Sequence, residues 1–77
     1  MAAKPIPKPC FLDQCVPVGA RNGEKRWRSP DGSRIYTWDS LHGEIEAFNA
    51  RGRHVGVLDA ETGFLVKEAV KGRKIDV

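Results

Sequence analysis

Short runs of apolar and aromatic residues, separated by turn signals, fill the chain from Glu24 onward. The runs predict strands at 25–28, 34–38, 44–48, 54–58 and 64–67. They are rich in β-branched and aromatic residues, and Gly, Pro, Asn and Asp lie between them. The pattern therefore predicts a mainly β fold (α+β at most), a small, highly twisted antiparallel sheet with meander connections.

The stretch at 1–23 has a different character. Its prolines interrupt every candidate helix or strand, and its glycines add flexibility: Pro5, Pro7, Pro9, Pro17, Gly19 and Gly23. We predict an irregular arm or linker with at most one short helical turn around 11–14. Residues 24–77 are predicted to form the functional domain.

Length and charge limit the function classes. The chain has 77 residues and a formal net charge of +3, which is enough for one domain that could bind a polyanion. No apolar run approaches the ~20 residues of a spanning helix, and no apolar leader stands at the start. Cys10 and Cys15 lack the second pair that a zinc site needs, so they form either a local disulfide or two free thiols.

The candidate catalytic residues are concentrated in the segment between Trp38 and Phe48. They are Asp39, His42, Glu44 and Glu46. Because side chains alternate along a strand, Ile45 and Ala47 are predicted to face the core, and both glutamates face away from it. Carboxylates beside an imidazole suit acid–base cleavage of a phosphodiester. Two other interpretations stay open at this point: a solvated strand face, and a metal site made of His42 and carboxylates.

Basic and aromatic residues are interleaved in a way that suits RNA binding. The candidates are Lys25, Arg26, Trp27, Arg28, Tyr36, Lys71 and Lys74. The aromatic residues among them could equally belong to the core, and His54 is expected to have a surface or cross-strand role rather than a catalytic one. A non-enzymatic, basic β-fold RNA-binding module is the competing function, although it leaves the acidic cluster unexplained.

Three segments of the chain carry a family resemblance. They are Lys25-Arg-Trp27, Tyr36-Thr-Trp-Asp-Ser-Leu-His-Gly-Glu-Ile-Glu46 and Leu58-Asp-Ala-Glu-Thr-Gly63. Together they resemble the cytotoxic ribonuclease domains of ribosome-inactivating colicins and cloacin. Similar domains end contact-dependent inhibition toxins and pyocins. The resemblance implies cleavage of small-subunit ribosomal RNA at the decoding site, which blocks translation, without a metal or cofactor. It also implies a larger secreted or surface-displayed parent toxin that acts in the target-cell cytoplasm.

The resemblance also implies roles for single residues. The family's catalytic histidine, aspartate and glutamate correspond to His42, Asp39 and Glu46, with Glu44 as a neighbouring acid and Arg73 as the C-terminal catalytic arginine. Glu46 is interpreted as the general base and His42 as the general acid, although the two roles could be exchanged. This sequence differs from the family at Phe48, where the family has tyrosine, and in the turn at 51–53, which is one residue shorter.

The resemblance further implies a small acidic immunity protein, so that the domain exists as a monomer or as a toxin–immunity heterodimer. We expect that partner to cover basic residues more than the acidic cluster. The residues expected in its interface are Arg26, Arg28, Arg73 and Lys74.

Overall fold

A computed structural model describes residues 3–21 and 23–77; Met1, Ala2 and Asn22 of the predicted arm lie outside the described residues. The chain forms one antiparallel sheet whose strand order follows the sequence, which confirms the predicted mainly β meander. The strands are β1 (Val16–Arg21), β2 (Glu24–Arg28), β3 (Arg34–Asp39), β4 (Glu44–Asn49), β5 (His54–Leu58) and β6 (Leu65–Glu68).

Strands β2 to β6 begin and end within one residue of the predicted limits, because the turns between them are locally encoded. The β2–β3 turn is an example. Asp31 Oδ1 accepts hydrogen bonds from the Ser33 amide at 2.9 Å, and from the hydroxyls of Ser29 and Ser33 at 2.7 Å each. These bonds from Ser33 and Ser29 favour the carboxylate and lower the pKa of Asp31 to about 2.

The N-terminal region differs from its sequence prediction at β1, where no strand was expected. Val16–Arg21 pairs with β2 along the outer edge of the sheet. Proline lacks an amide proton, but an edge strand has one side without a partner, so Pro17 is accommodated there. The predicted helical turn is confirmed as a 3-10 helix at Phe11–Gln14.

The main core covers one face of the sheet and includes part of the predicted arm. Its buried members are Cys10, Leu12, Cys15, Tyr36, Ile45 and Ala47. Both cysteines are free thiols, and burial, with a smaller contribution from Cys10, raises the pKa of the Cys15 thiol. Residues 10–15 thus pack on the sheet, while the predicted domain boundary after residue 23 stays a prediction.

The opposite face of the sheet is partly covered by the segment after β6. The Ile75 amide donates to the Gly52 carbonyl at 2.8 Å, and a backbone bridge joins Arg53 to Lys74. Gly52 has a φ of +86°, and a Cβ at this position would collide with the Ile75 carbonyl. Glycine at the β4–β5 turn therefore lets the C-terminal segment lie against the sheet.

Over residues 3–21 and 23–77, none of the helical structure has the length and apolarity that crossing a membrane requires.

Candidate active site

The register of the sheet places Glu46 centrally on the face opposite the main core. Glu46 lies directly across from Thr37 on β3 and from Val57 on β5. One step along the ladder, Thr37 lies across from Arg26 on β2. Directly paired residues point to the same side of a sheet. Arg26, Thr37, Glu46 and Val57 therefore form one row across this face.

Asp39 and His42 form a hydrogen-bonded pair at the end of β3. Asp39 Oδ1 accepts from the amides of Leu41 and His42 at 3.0 and 3.2 Å, which closes the loop. Its Oδ2 lies 2.7 Å from His42 Nδ1. The aspartate thus holds the proton of Nδ1 and leaves Nε2 as the ring nitrogen that can exchange a proton with a substrate.

The pKa of Asp39 lies below its ordinary value. Burial acts to raise this pKa, but the hydrogen bonds and attractive charge of His42, together with the Leu41 amide, outweigh it. Asp39 is therefore a carboxylate at neutral pH, as an acceptor that orients an imidazole must be.

Two donors hold the carboxylate of Glu46. Arg73 Nη1 donates to Oε1 at 2.7 Å, and His54 Nε2 lies 3.0 Å from Oε2. The Val70 amide donates to His54 Nδ1 at 2.9 Å, so Nδ1 is an acceptor and the ring proton is on Nε2. The Glu46 carboxylate is fixed in direction by one cation and one neutral N–H group.

His54 contacts the site although the sequence reasoning did not select it as a site residue. Its side chain is 0% exposed, so the surface role is wrong, and its contact with Glu46 on the neighbouring strand is the cross-strand role. The ladder pairs Gly56 with Ala47 and His54 with Phe48, which leaves Val55 as the extra residue of a β-bulge. The bulge places both His54 and Val57 on the Glu46 face, although strict alternation would separate them. A glycine inside a strand often marks a bulge, so Gly56 was the available signal.

The position of Arg73 depends on the C-terminal segment. The Arg73 amide donates a hydrogen bond to the Val70 carbonyl, and the Arg73 carbonyl accepts one from the His54 amide at 3.0 Å. These bonds align the segment with the start of β5 and direct the guanidinium to Glu46. Arg73 and Glu46 are thereby joined across 27 positions of sequence.

All five catalytic candidates line one cavity of about 340 Å³. Lys67, which the sequence reasoning did not select, also lines it and donates to Glu44 at 3.1 Å. One ligand atom each from Asp39, His42 and Glu44 lie within 4.8 Å of one another, so this side of the cavity could hold a metal ion.

The predicted RNA-binding residues are divided between the two faces. Arg26 and Arg28 alternate onto the Glu46 face. Lys71 and Lys74 line an adjacent cavity of about 400 Å³ that shares Arg73 with the first. Lys25 alternates to the opposite face and lines a cavity there.

Two aromatic residues in the predicted RNA-binding set belong to the other side of the sheet. Trp27 packs against the main core. Tyr36 is 6% exposed, and its ring meets Phe11 edge-on with centroids 5.5 Å apart. This burial contradicts a base-stacking role for Tyr36, because neither ring face is open to a base. Side-chain alternation along β2 and β3 is the reason for the difference.

The arrangement can move protons at two places and neutralise charge at a third. Glu46 offers a fixed carboxylate, the His42–Asp39 pair offers an oriented imidazole, and Arg73 offers a cation beside Glu46. This set matches a general base, a general acid and an electrostatic stabiliser acting on one substrate.

Comparisons with known proteins agree on one family. A family model described as Cytotoxic matches residues 14–76. Colicin E3 of Escherichia coli is 48% identical over 44 residues, which are 56% of this chain and 8% of that protein. Cloacin of Escherichia coli is 42% identical over 50 residues, 64% of this chain and 9% of cloacin. The chain thus spans less than a tenth of the curated relatives that it matches. With most of its length matched by the family model, the chain belongs to the Cytotoxic family, and its resemblance to colicin and cloacin toxin domains is confirmed.

Proposed function

We propose that this chain is the toxin domain of a larger bacterial protein and an endoribonuclease that cleaves small-subunit ribosomal RNA at the decoding site. The observation that carries the proposal is the single cavity holding the His42–Asp39 pair beside a Glu46 carboxylate bound to Arg73. Membership in the family of colicin and cloacin domains supports RNA as the substrate.

The proposed reaction is a transesterification. Glu46 removes the proton from a ribose 2′-hydroxyl, and the 2′-oxygen attacks the adjacent phosphorus. The bond from phosphorus to the 5′-oxygen breaks, and His42 Nε2 gives a proton to the departing oxygen. The products are a 2′,3′-cyclic phosphate and a 5′-hydroxyl, and Arg73 stabilises the charge that develops on the phosphoryl oxygens.

Asp39 and Glu44 have supporting roles in this scheme. Asp39 keeps Nδ1 of His42 protonated and its ring in one orientation, and it stabilises the imidazolium form. Glu44, paired with Lys67, tunes the charge at the mouth of the cavity. These steps assign every proton transfer to a side chain, so the reaction is proposed to need no metal or cofactor.

Family membership supports a proposal about the parent protein and its partners. We propose that the parent is secreted or displayed on the surface of the producing cell, and that the domain acts in the cytoplasm of the target cell. A cognate acidic immunity protein would bind it in the producer and cover basic residues such as Arg73 and Lys74.

The proposal is tested by cleavage of bacterial ribosomes. We expect the purified chain to release one small 3′ fragment of small-subunit RNA, with a 2′,3′-cyclic phosphate on the upstream piece detectable by mass spectrometry. A decoding-site RNA oligonucleotide, which does not need magnesium to stay assembled, should be cut equally well in EDTA.

The possible negative results point to different alternatives. A 3′-hydroxyl with a 5′-phosphate would indicate hydrolysis by an activated water and would contradict the mechanism. Intact RNA that nevertheless binds tightly would favour the non-enzymatic RNA-binding module.

We predict that the contact from His54 to Glu46 positions the Glu46 carboxylate for catalysis. Replacing it with leucine removes the N–H that fixes Glu46 Oε2, and we expect roughly a 10²-fold loss of cleavage rate, because small misplacements of reacting groups cost about that much. Glutamine places an amide N–H near the position of Nε2, so His54→Gln should recover much of the rate.

The two His54 variants separate positioning from folding. Thermal unfolding followed by circular dichroism identifies a variant that is merely unstable. Equal losses in His54→Leu and His54→Gln at equal stability would contradict the positioning role.

A further inference from the structure

A second, strongly basic cavity lies on the same face of the sheet as the candidate active site. It measures about 450 Å³, and its charged side chains are all arginines: Arg21, Arg26 and Arg28. They come from β1 and β2, the strands on the far side of β3 from Glu46. The remaining side chains that line the cavity are apolar or glycine, so no acidic side chain in the lining neutralises the arginines.

These arginines have few partners inside the chain. In the part of the chain that the structure describes, none of the three forms an ion pair with a carboxylate. Arg26 Nη1 donates to the Asp76 backbone carbonyl, and Arg26 Nε is buried without a hydrogen-bond acceptor. A buried donor without a partner is unfavourable. An anionic oxygen would satisfy it if the Arg26 side chain turned toward the cavity.

The position of the cavity relative to Glu46 is set by the register of the sheet. Arg26, Thr37 and Glu46 are direct cross-strand neighbours. Neighbouring strands are ~4.8 Å apart, so the backbones of Arg26 and Glu46 are separated by about 10 Å. A few nucleotides of an extended RNA strand cover such a distance. The planar guanidinium of arginine can donate two hydrogen bonds to the two non-bridging oxygens of a backbone phosphate.

We propose that Arg21, Arg26 and Arg28 form a phosphate-binding subsite for the RNA strand beside the scissile phosphate. The subsite rests on the proposed ribonuclease function and adds a direction to it: the RNA runs across β3, from the His42–Glu46 cavity toward β2 and β1. Its contacts are to the backbone phosphate and not to a base, so it holds the strand in register without reading its sequence.

The test is equilibrium binding of a decoding-site oligonucleotide with 2′-O-methyl groups. This probe lacks the 2′-hydroxyl nucleophile and cannot be cleaved by transesterification. We expect Arg28→Ala and Arg21→Ala each to weaken binding by roughly 10-fold, the size of one charge-assisted hydrogen bond. Each should also reduce the slope of log K against log salt by about 0.7, the value for one phosphate contact on a single strand.

Arg34→Ala is the matched control, since it removes the same charge from β3. Arg34 lines a cavity with Phe11 and Tyr36 on the opposite face, so its loss should leave the salt slope unchanged. Arg26→Ala is less informative because Arg26 also binds the C-terminal segment. Arg21 and Arg28 make no side-chain hydrogen bonds within residues 3–21 and 23–77, so their variants should fold normally.

The outcomes distinguish the subsite from the ribonuclease function. Equal losses in Arg28→Ala and Arg34→Ala would overturn the subsite and leave diffuse charge as the explanation. No change in any variant would overturn the subsite as well. If the wild type fails to cut unmodified RNA while the arginine variants still weaken binding of the probe, the ribonuclease proposal fails and the phosphate site stands.

Discussion

Replacing His42 with alanine, or Glu46 with glutamine, is expected to slow RNA cleavage by ~10²- to 10⁴-fold, the usual contribution of a general acid or base. Each substitution removes one proton transfer and leaves the other in place. His42 is more than half exposed on its side chain, and glutamine keeps the shape of glutamate. Both variants should therefore fold like the wild type, and single-turnover rates on ribosomes measure the effect.

Glu68→Gln is the matched control for this experiment. Glu68 lines the same cavity, so the substitution removes a nearby carboxylate without touching a residue assigned to proton transfer. A control rate within a few-fold of wild type is expected. Activity within threefold of wild type in either His42→Ala or Glu46→Gln would contradict the proposed site.

A modified substrate assigns the two proton-transfer roles. An oligonucleotide with sulfur in place of the bridging 5′-oxygen has a leaving group that departs without protonation. We expect this substrate to restore most of the rate to His42→Ala and little to Glu46→Gln. The reverse result would show that Glu46 is the acid and His42 the base.

Replacing Arg73 with alanine is expected to reduce the cleavage rate at saturating RNA by ~10²- to 10³-fold, the range seen when a single electrostatic donor is removed from a transition state. The guanidinium lies 2.7 Å from Glu46 Oε1, and in the proposed mechanism this places it next to the phosphoryl group that gains negative charge. Arg73→Lys keeps the charge but loses the planar fork, so it should recover only part of the rate.

Arg51→Ala is the matched control for Arg73, because it removes one positive charge from the exposed β4–β5 turn. The turn is held by backbone amides of Arg51 and Arg53 that donate to Asn49, so the Arg51 side chain is not needed for its shape. Arg73→Ala and Arg51→Ala could lower the apparent RNA affinity equally and leave the rate at saturating RNA unchanged. That result would mean that Arg73 only attracts RNA.

The limits of the strands were predictable because local chemistry sets them. The carboxylate of Asp31 collects donors from within its own turn, and comparable turns end the neighbouring strands. The Asp39–His42 pair is equally local, since both residues belong to one short loop. Alternation along β4 correctly placed Ile45 and Ala47 in the core.

Strand β1 and the burial of Tyr36 depend on neighbours that are distant in sequence. Pro17 disfavours a strand in isolation, but the edge of a completed sheet tolerates it. Tyr36 carries no local signal that separates a core ring from an RNA-stacking ring. Phe11 covers it only after the N-terminal region packs against the sheet.

The family, the meander of β2 to β6 and the catalytic candidates could be read from the amino-acid sequence, because motif and turn residues act over a few positions. The way in which Glu46 is held depends on contacts that form only in the folded chain. Arg73 reaches it across 27 positions, and His54 reaches it through a bulge that strict alternation does not anticipate. Cross-strand register and chain reversal set these contacts, and neither is encoded by spacing along one strand.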